Sequence, residues 1–166
     1  MRAARRLWSL PVLSGARSLA LYLPADGEID CTPIAVQAWR RGRAVYLPVV
    51  TGATLRFAPF RADSVLRPNR FDILEPVAPV REWRTARQLD VIIAPLVAFD
   101  AQGHRLGMGG GYYDRTLAFL MRRSCARRPH FVALAFDMQK ISVLPAGAWD
   151  VRLDAVVTDA RTYRFA

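Results

Sequence analysis

Short apolar runs separated by polar, glycine- or proline-containing stretches recur along the chain, and their period switches between that of strands and that of helices. Ser18 to Leu23 alternates and then runs apolar, as a first core strand does, and Pro24-Ala25-Asp26-Gly27 reads as a turn. Thr32-Pro33 reads as an N-cap with proline at the first helical position. The helix it opens runs to about Arg41, stops at Gly42 and turns Ile34, Ala38 and Trp39 towards a sheet. Ala44 to Val50 and Thr54 to Phe60 read as neighbouring strands, with Leu55, Phe57 and Pro59 alternating with Thr54, Arg56 and Ala58. Phe57 and Phe60 are assigned to the core in preference to a stacking role. From Arg61 to Arg87, Pro68, Pro76 and Pro79 break every period, which predicts a long ordered loop with little regular structure. Asp90 to Ala94 is short, apolar and β-branched, as a strand buried on both faces is. Beyond Tyr112 the spacing changes: Tyr113, Leu117, Leu120 and Met121 fall on one face of an amphipathic helix. Phe131 to Phe136 reads as a further buried strand, Gln139 to Pro145 as a connection and Ala155 to Thr158 as a last short strand. At the start, Leu7-Trp8 and Leu10-Pro11 fit the last turn of a helix ended before proline. Alternating elements predict an α/β domain, one mostly buried sheet with helices on both faces, and neither repeats nor a second domain.

Composition narrows this reading without redirecting it. A length of 166 residues suits one domain, and 52% hydrophobic with 23% charged residues describes a soluble globular chain. No apolar run is long enough to span a bilayer, and the N-terminus lacks the apolar stretch of a secretory signal, so the cytoplasm is the expected compartment. Cys31 and Cys125 are read as two unpaired buried thiols, and with His104 and His130 they form no metal-binding spacing. The net charge of +10 admits three accounts: nucleic-acid binding, biased composition, or a field that favours an anionic ligand. All but one of the 24 basic residues are arginine, scattered in pairs. No RRM, KH or helix-turn-helix pattern accompanies them, so nucleic acid is the least expected partner.

The chemistry concentrates where the strand at Asp90 to Ala94 leads through Pro95-Leu96-Val97-Ala98-Phe99-Asp100 into Arg105-Leu106-Gly107-Met108-Gly109-Gly110-Gly111-Tyr112-Tyr113-Asp114-Arg115. Four glycines within five positions before a helix let backbone N–H groups approach a ligand, and a helix N-terminus adds partial positive charge. That suits phosphate, with Arg105 and Arg115 flanking the loop and Asp114 offering a hard oxygen for magnesium. A tight turn with no ligand is the competing account. Neither common phosphate fingerprint fits. The single lysine, Lys140, is far from the loop, and Tyr112 stands where the third glycine of a dinucleotide motif belongs.

At these residues the chain resembles the 5-formyltetrahydrofolate cyclo-ligase, or 5,10-methenyltetrahydrofolate synthetase, family, from about Leu10 to the C-terminus. Asn69-Arg70-Phe71-Asp72-Ile73-Leu74-Glu75-Pro76 resembles a second family stretch, with Asp72 where a glycine is usual. The resemblance implies a three-layer α/β/α domain of the NagB/RpiA/CoA-transferase type spanning 1–166, and a family N-terminal helix whose Lys and Arg contact ATP phosphates. No Lys precedes Lys140, and Arg2 and Arg6 share only the spacing, so that helix is expected to be missing here. It further implies closure of 5-formyltetrahydrofolate to 5,10-methenyltetrahydrofolate with ATP as co-substrate and Mg²⁺ as cofactor, giving ADP and phosphate. By the same resemblance Arg105, Leu106, Gly107, Met108, Gly109, Gly110, Gly111, Tyr112 and Tyr113 line the ATP, with Arg105 and Tyr112 catalytic. Leu23, Glu28, Met108, Gly109, Gly110, Gly111 and Tyr112 meet the folate, with Glu28 on the pterin. Asp114 and Asp150 hold the metal, although Trp149 stands where many members have His. Asp154 reads as an ordinary surface acid, and Arg122, Arg123, Arg127 and Arg128 as partners of a helix end. A monomer is favoured. A folate- or nucleotide-binding relative without turnover and a basic RNA-binding protein are the alternative readings.

Overall fold

The computed structural model describes residues 2–25, 27–122 and 128–165. Its centre is a seven-stranded sheet built from β1 (Ser18–Ala20), β2 (Ala44–Thr51), β3 (Thr54–Pro59), β6 (Val91–Ala94), β9 (His130–Ala135), β10 (Ala155–Thr158) and β11 (Thr162–Arg164), in the order β11-β10-β9-β6-β1-β2-β3. The five inner strands are parallel, and only β3 and β11 run antiparallel at the edges. Parallel strands with both faces covered explain the unbroken apolar run of Val91–Ala94, where all four residues are buried. Period-two alternation splits these strands between two cores. Leu19, Ile93, Val132 and Val157 face one side, and Ala20, Ile92, Ala133 and Val156 the other.

On the first face pack α1 (Arg2–Trp8), α2 (Pro11–Ser14) and α3 (Thr32–Arg40), through Leu7, Leu13, Ile34 and Ala38. On the second lies α4 (Tyr112–Leu117), continued by a 3-10 turn at Ala118–Arg122, with Leu117 and Leu120 buried. Helices on both faces make the expected three-layer α/β/α arrangement. The chain enters at β1, moves to β2 and β3 on one side, and returns to β6 on the other. Connections leaving the carboxyl ends of β1 and β6 therefore diverge, and such a divergence opens a crevice above an open sheet.

Several expectations are corrected. The N-cap of α3 is Cys31, one residue earlier than Thr32, because the Asp30 carboxylate already accepts the Thr32 N–H at 2.8 Å. The stretch from Arg61 to Arg87 contains a hairpin, β4 (Leu66–Pro68) with β5 (Leu74–Pro76), and two 3-10 turns. Its turn places Asp72 at φ 59°, so the aspartate holds the left-handed conformation that a glycine would adopt freely. The strand at Ala155–Thr158 is followed by β11, whose Tyr163 packs edge-on against Phe99 at 5.2 Å. Met121 is 49% exposed because the 3-10 turn rotates it off the apolar face. Asp154 is not an idle surface acid: Oδ2 accepts the Phe131 N–H at 2.8 Å and fastens β9 beside β10. Cys31 is a free buried thiol, as expected, and Phe57 is wholly buried. Cys125, Arg123, Arg127 and Asp26 of the first turn lie outside the described residues.

Candidate active site

After β6 the chain forms a second hairpin, β7 (Ala98–Phe99) with β8 (Arg105–Leu106), which carries it to the glycine loop. Asp100 organises the turn of this hairpin from a fully buried position. Oδ1 accepts the N–H groups of Gln102 and His104, and Oδ2 accepts the Leu144 N–H and pairs with His104 Nδ1 at 2.9 Å. Burial pushes the Asp100 carboxyl upward, but these hydrogen bonds more than offset it and hold it below the ordinary range.

The hairpin delivers Arg105, whose side chain is 6% exposed. Its Nη2 donates to Asp114 Oδ1 at 2.9 Å, and its guanidinium carbon lies 5.2 Å from the Phe131 ring centre and 5.5 Å from that of Tyr113. Nη1 passes 3.2 Å from where a side chain on Gly107 would begin, which is why a glycine stands there. Nε is buried and donates to no acceptor among the described residues. A buried unpaired donor costs about 1–3 kcal/mol, so the guanidinium retains capacity for an anion.

Between β8 and α4, Gly109 (φ 81°) and Gly111 (φ 61°) take left-handed conformations that only glycine adopts without strain. The helix that follows is six residues long, so its dipole adds little and the loop amides are the main donors. Met108 stands 80% exposed at the loop. Arg115 is held in place by the backbone: Nε donates to Ala53 O and Nη2 to Gly110 O, both at 2.7 Å. Tyr112 lies beneath that guanidinium at 5.1 Å and meets Phe71, from the β4–β5 turn, at 6.4 Å. Tyr113 stacks on Phe131, and burial pushes its hydroxyl up, with Arg105 opposing and Cys31 and Glu28 adding to the rise. Glu28 lies in the segment that follows β1. Its Oε2 accepts the Ala25 N–H at 2.9 Å, folding the acid over the segment that follows β1, where Leu23 packs against the first core.

The two predicted metal acids are brought together through the backbone. Asp114 Oδ1 accepts the Val151 N–H at 3.2 Å, beside Asp150, whose Oδ2 accepts the Gly147 N–H at 2.7 Å. Asp114 accepts its hydrogen bonds on Oδ1 and Asp150 on Oδ2, so two hard oxygens face no donor among the described residues. No cluster of three or more metal-ligating side chains forms among those residues. Two carboxylates without a full cage fit magnesium, which takes its remaining ligands from phosphate and water.

Sequence reasoning assigned no part to Asp100, Phe71 or Thr116. Thr116 Oγ1 accepts the Leu55 N–H at 2.8 Å and donates to Tyr112 O at 2.6 Å, docking α4 on β3. Only the apolar alternation within Leu66–Pro68 and Leu74–Pro76 could have revealed the hairpin behind Phe71, and three residues are too few to read. Two shallow hollows, along Arg2, Arg5, Arg6 and Ser9 and along the outer face of α3, include no glycine-loop residue and no catalytic grouping.

The family model of the 5-formyltetrahydrofolate cyclo-ligase family matches residues 1–159. The Escherichia coli (strain K12) protein named 5-formyltetrahydrofolate cyclo-ligase is 41% identical over 167 aligned positions, covering 99% of this chain and 90% of its own. The NMR structure of Aquifex aeolicus 5,10-methenyltetrahydrofolate synthetase superposes with a TM-score of 0.80 at 34% identity, over 98% of this chain and 79% of the other. A Mycoplasma pneumoniae 5,10-methenyltetrahydrofolate synthetase superposes with a TM-score of 0.68 at 25% identity, over 95% and 83% of the two chains.

Proposed function

The chain belongs to the 5-formyltetrahydrofolate cyclo-ligase family of ligases, and on that premise we propose that it closes 5-formyltetrahydrofolate to 5,10-methenyltetrahydrofolate at the expense of ATP, in the crevice above β1 and β6. The observation that carries this reading is Arg105, buried at the head of a five-residue glycine-rich loop, ion-paired to Asp114 and with Nε unpaired.

A formyl oxygen on nitrogen is a poor leaving group. Transfer of the γ-phosphoryl group to it gives a good one, N10 of the folate then attacks the formyl carbon, and phosphate departs with the oxygen. The protein needs no covalent nucleophile, only positioning and charge compensation. Arg105 and the loop amides from Gly107 to Gly111 hold the phosphates, with Leu106 and Tyr113 supporting the loop from either end. Glu28 accepts paired N–H donors of the pterin, Leu23 meets the same ring system, and Tyr112 and Met108 border the reacting carbon. Asp114 and Asp150 would hold Mg²⁺, which when bound neutralises phosphate charge. We further propose a monomer as the working unit. We place the reaction in the cytoplasm. No helix among the described residues is long and apolar enough to cross a membrane.

The test is direct. The chain is mixed with ATP, Mg²⁺ and 5-formyltetrahydrofolate, and the near-ultraviolet absorbance of the methenyl product is followed. Product that requires all three components supports the reading, whereas tight binding of both substrates with no product assigns the chain to a binding role.

A further inference from the structure

Arg115 is a surface residue, and its guanidinium bridges the backbone of two separate elements. Nε donates to Ala53 O in the two-residue turn between β2 and β3, and Nη2 donates to Gly110 O in the glycine loop. The fork of an arginine reaches both carbonyls at once, which a point-charge ammonium does not. Its seat depends on the neighbouring glycine, because a side chain on Gly111 would begin 2.6 Å from Nη1. The aromatic face of Tyr112 closes the seat from below.

Geometry turns this clasp into control of the loop. Within a planar trans peptide the C=O and N–H point in opposite directions. Holding Gly110 O towards Arg115 therefore aims the Gly111 N–H away from it, and also fixes the plane of a peptide bounded by glycines, which would otherwise rotate freely. We propose that Arg115 is a positioning residue for the nucleotide: it donates no hydrogen bond to phosphate itself, but holds the Gly110–Gly111 peptide in the orientation that presents its amide, with the β2–β3 turn as the fixed post. This inference rests on the reading of the glycine loop as the nucleotide site.

The test compares the wild-type chain with Arg115→Gln and Arg115→Lys by calorimetric ATP binding, by KM for each substrate, and by thermal midpoint. Positioning predicts that both variants lose ATP affinity by about tenfold or more, since small misplacements of a binding group are costly. KM for 5-formyltetrahydrofolate rises less than ATP affinity falls, the thermal midpoint stays near wild type, and added guanidinium ion restores ATP affinity to Arg115→Gln. Wild-type ATP affinity in Arg115→Lys would mean that charge alone matters and would overturn the proposal. So would parallel losses of stability and of both substrates, which mark a merely structural role. Failure of the wild-type chain to bind ATP sinks the nucleotide reading itself, whereas unchanged ATP affinity in Arg115→Gln beside a competent wild type sinks only the assignment of Arg115.

Discussion

Asp114 pairs with the buried Arg105 and accepts the Val151 N–H beside Asp150, both on Oδ1, and its Oδ2 faces no donor among the described residues; we propose that this oxygen meets the cation. Asp114→Asn keeps the shape and removes the charge. The expected result is a rise of about tenfold or more in the Mg²⁺ concentration for half-maximal rate, since one charge-assisted interaction is worth about 1.5–3 kcal/mol. Titrating the rate of methenyl formation with Mg²⁺ checks it, and an unchanged midpoint would remove Asp114 from the metal site. At this scale the sequence was legible wherever a residue's chemistry is rare. A run of glycines, an arginine and an aspartate mark the loop that the structure gathers between β8 and α4, and an acid after β1 marks a polar contact. Arg115 is legible only in part: its charge beside the loop is visible in sequence, but the carbonyls of Ala53 and Gly110 to which it donates are not. Asp72 shows the converse case. Its substitution for glycine raises the prospect of a broken turn, and the short polar side chain instead tolerates φ 59°.

Among the elements, the strands of the parallel sheet are clear because apolar runs such as Val91–Ala94 must be dry on both faces. The β4–β5 hairpin was hidden, since strands of three residues with a proline in each carry no readable period. A carboxylate ties it to the central sheet: Glu75 Oε1 accepts the Val50 N–H at 2.9 Å and the Asn69 Nδ2 hydrogen at 2.7 Å. Glu75→Ala leaves both donors without that acceptor and is expected to cost about 1–3 kcal/mol. Denaturant unfolding measures the loss, and hydrogen exchange should quicken across 66–76 while the glycine loop keeps its protection. Equal quickening at both places would mean that the hairpin and the loop open as one unit.

Across the whole molecule, three acids tie the ends of strands that are distant in sequence. Asp90, before β6, accepts the Arg17 and Ser18 N–H groups at the start of β1 and pairs with Arg128 before β9. Asp100 binds the β7–β8 hairpin to Leu144, and Asp137, after β9, accepts the hydroxyls of Thr158 and Tyr163. For each, burial pushes the carboxyl up but hydrogen bonds, joined at Asp90 and Asp137 by nearby cations, outweigh it and hold it below the ordinary value. A carboxylate with a depressed folded pKa binds its proton more readily in the unfolded chain. The stability it contributes is present above about pH 4 and is lost as pH falls through the lower folded values. Unfolding free energy should therefore be nearly level from pH 7 to about pH 5 and fall steeply below about pH 4, with Asp90→Asn flattening that limb. Denaturant titrations at stepped pH check this, and an acid limb unmoved in Asp90→Asn would show that its bonds carry no linkage. By itself the sequence determined the alternation of strands and helices, the two-faced core and the residues able to handle phosphate, because burial and rare chemistry are written locally in apolar period and residue type. Only the tertiary structure decided the strand order that opens the crevice between β1 and β6, the hairpin that brings Phe71 to Tyr112, and the carbonyls that claim Arg115. Those depend on which distant backbone groups meet, and a hydrogen bond between partners 62 residues apart leaves no mark on the pattern of either segment.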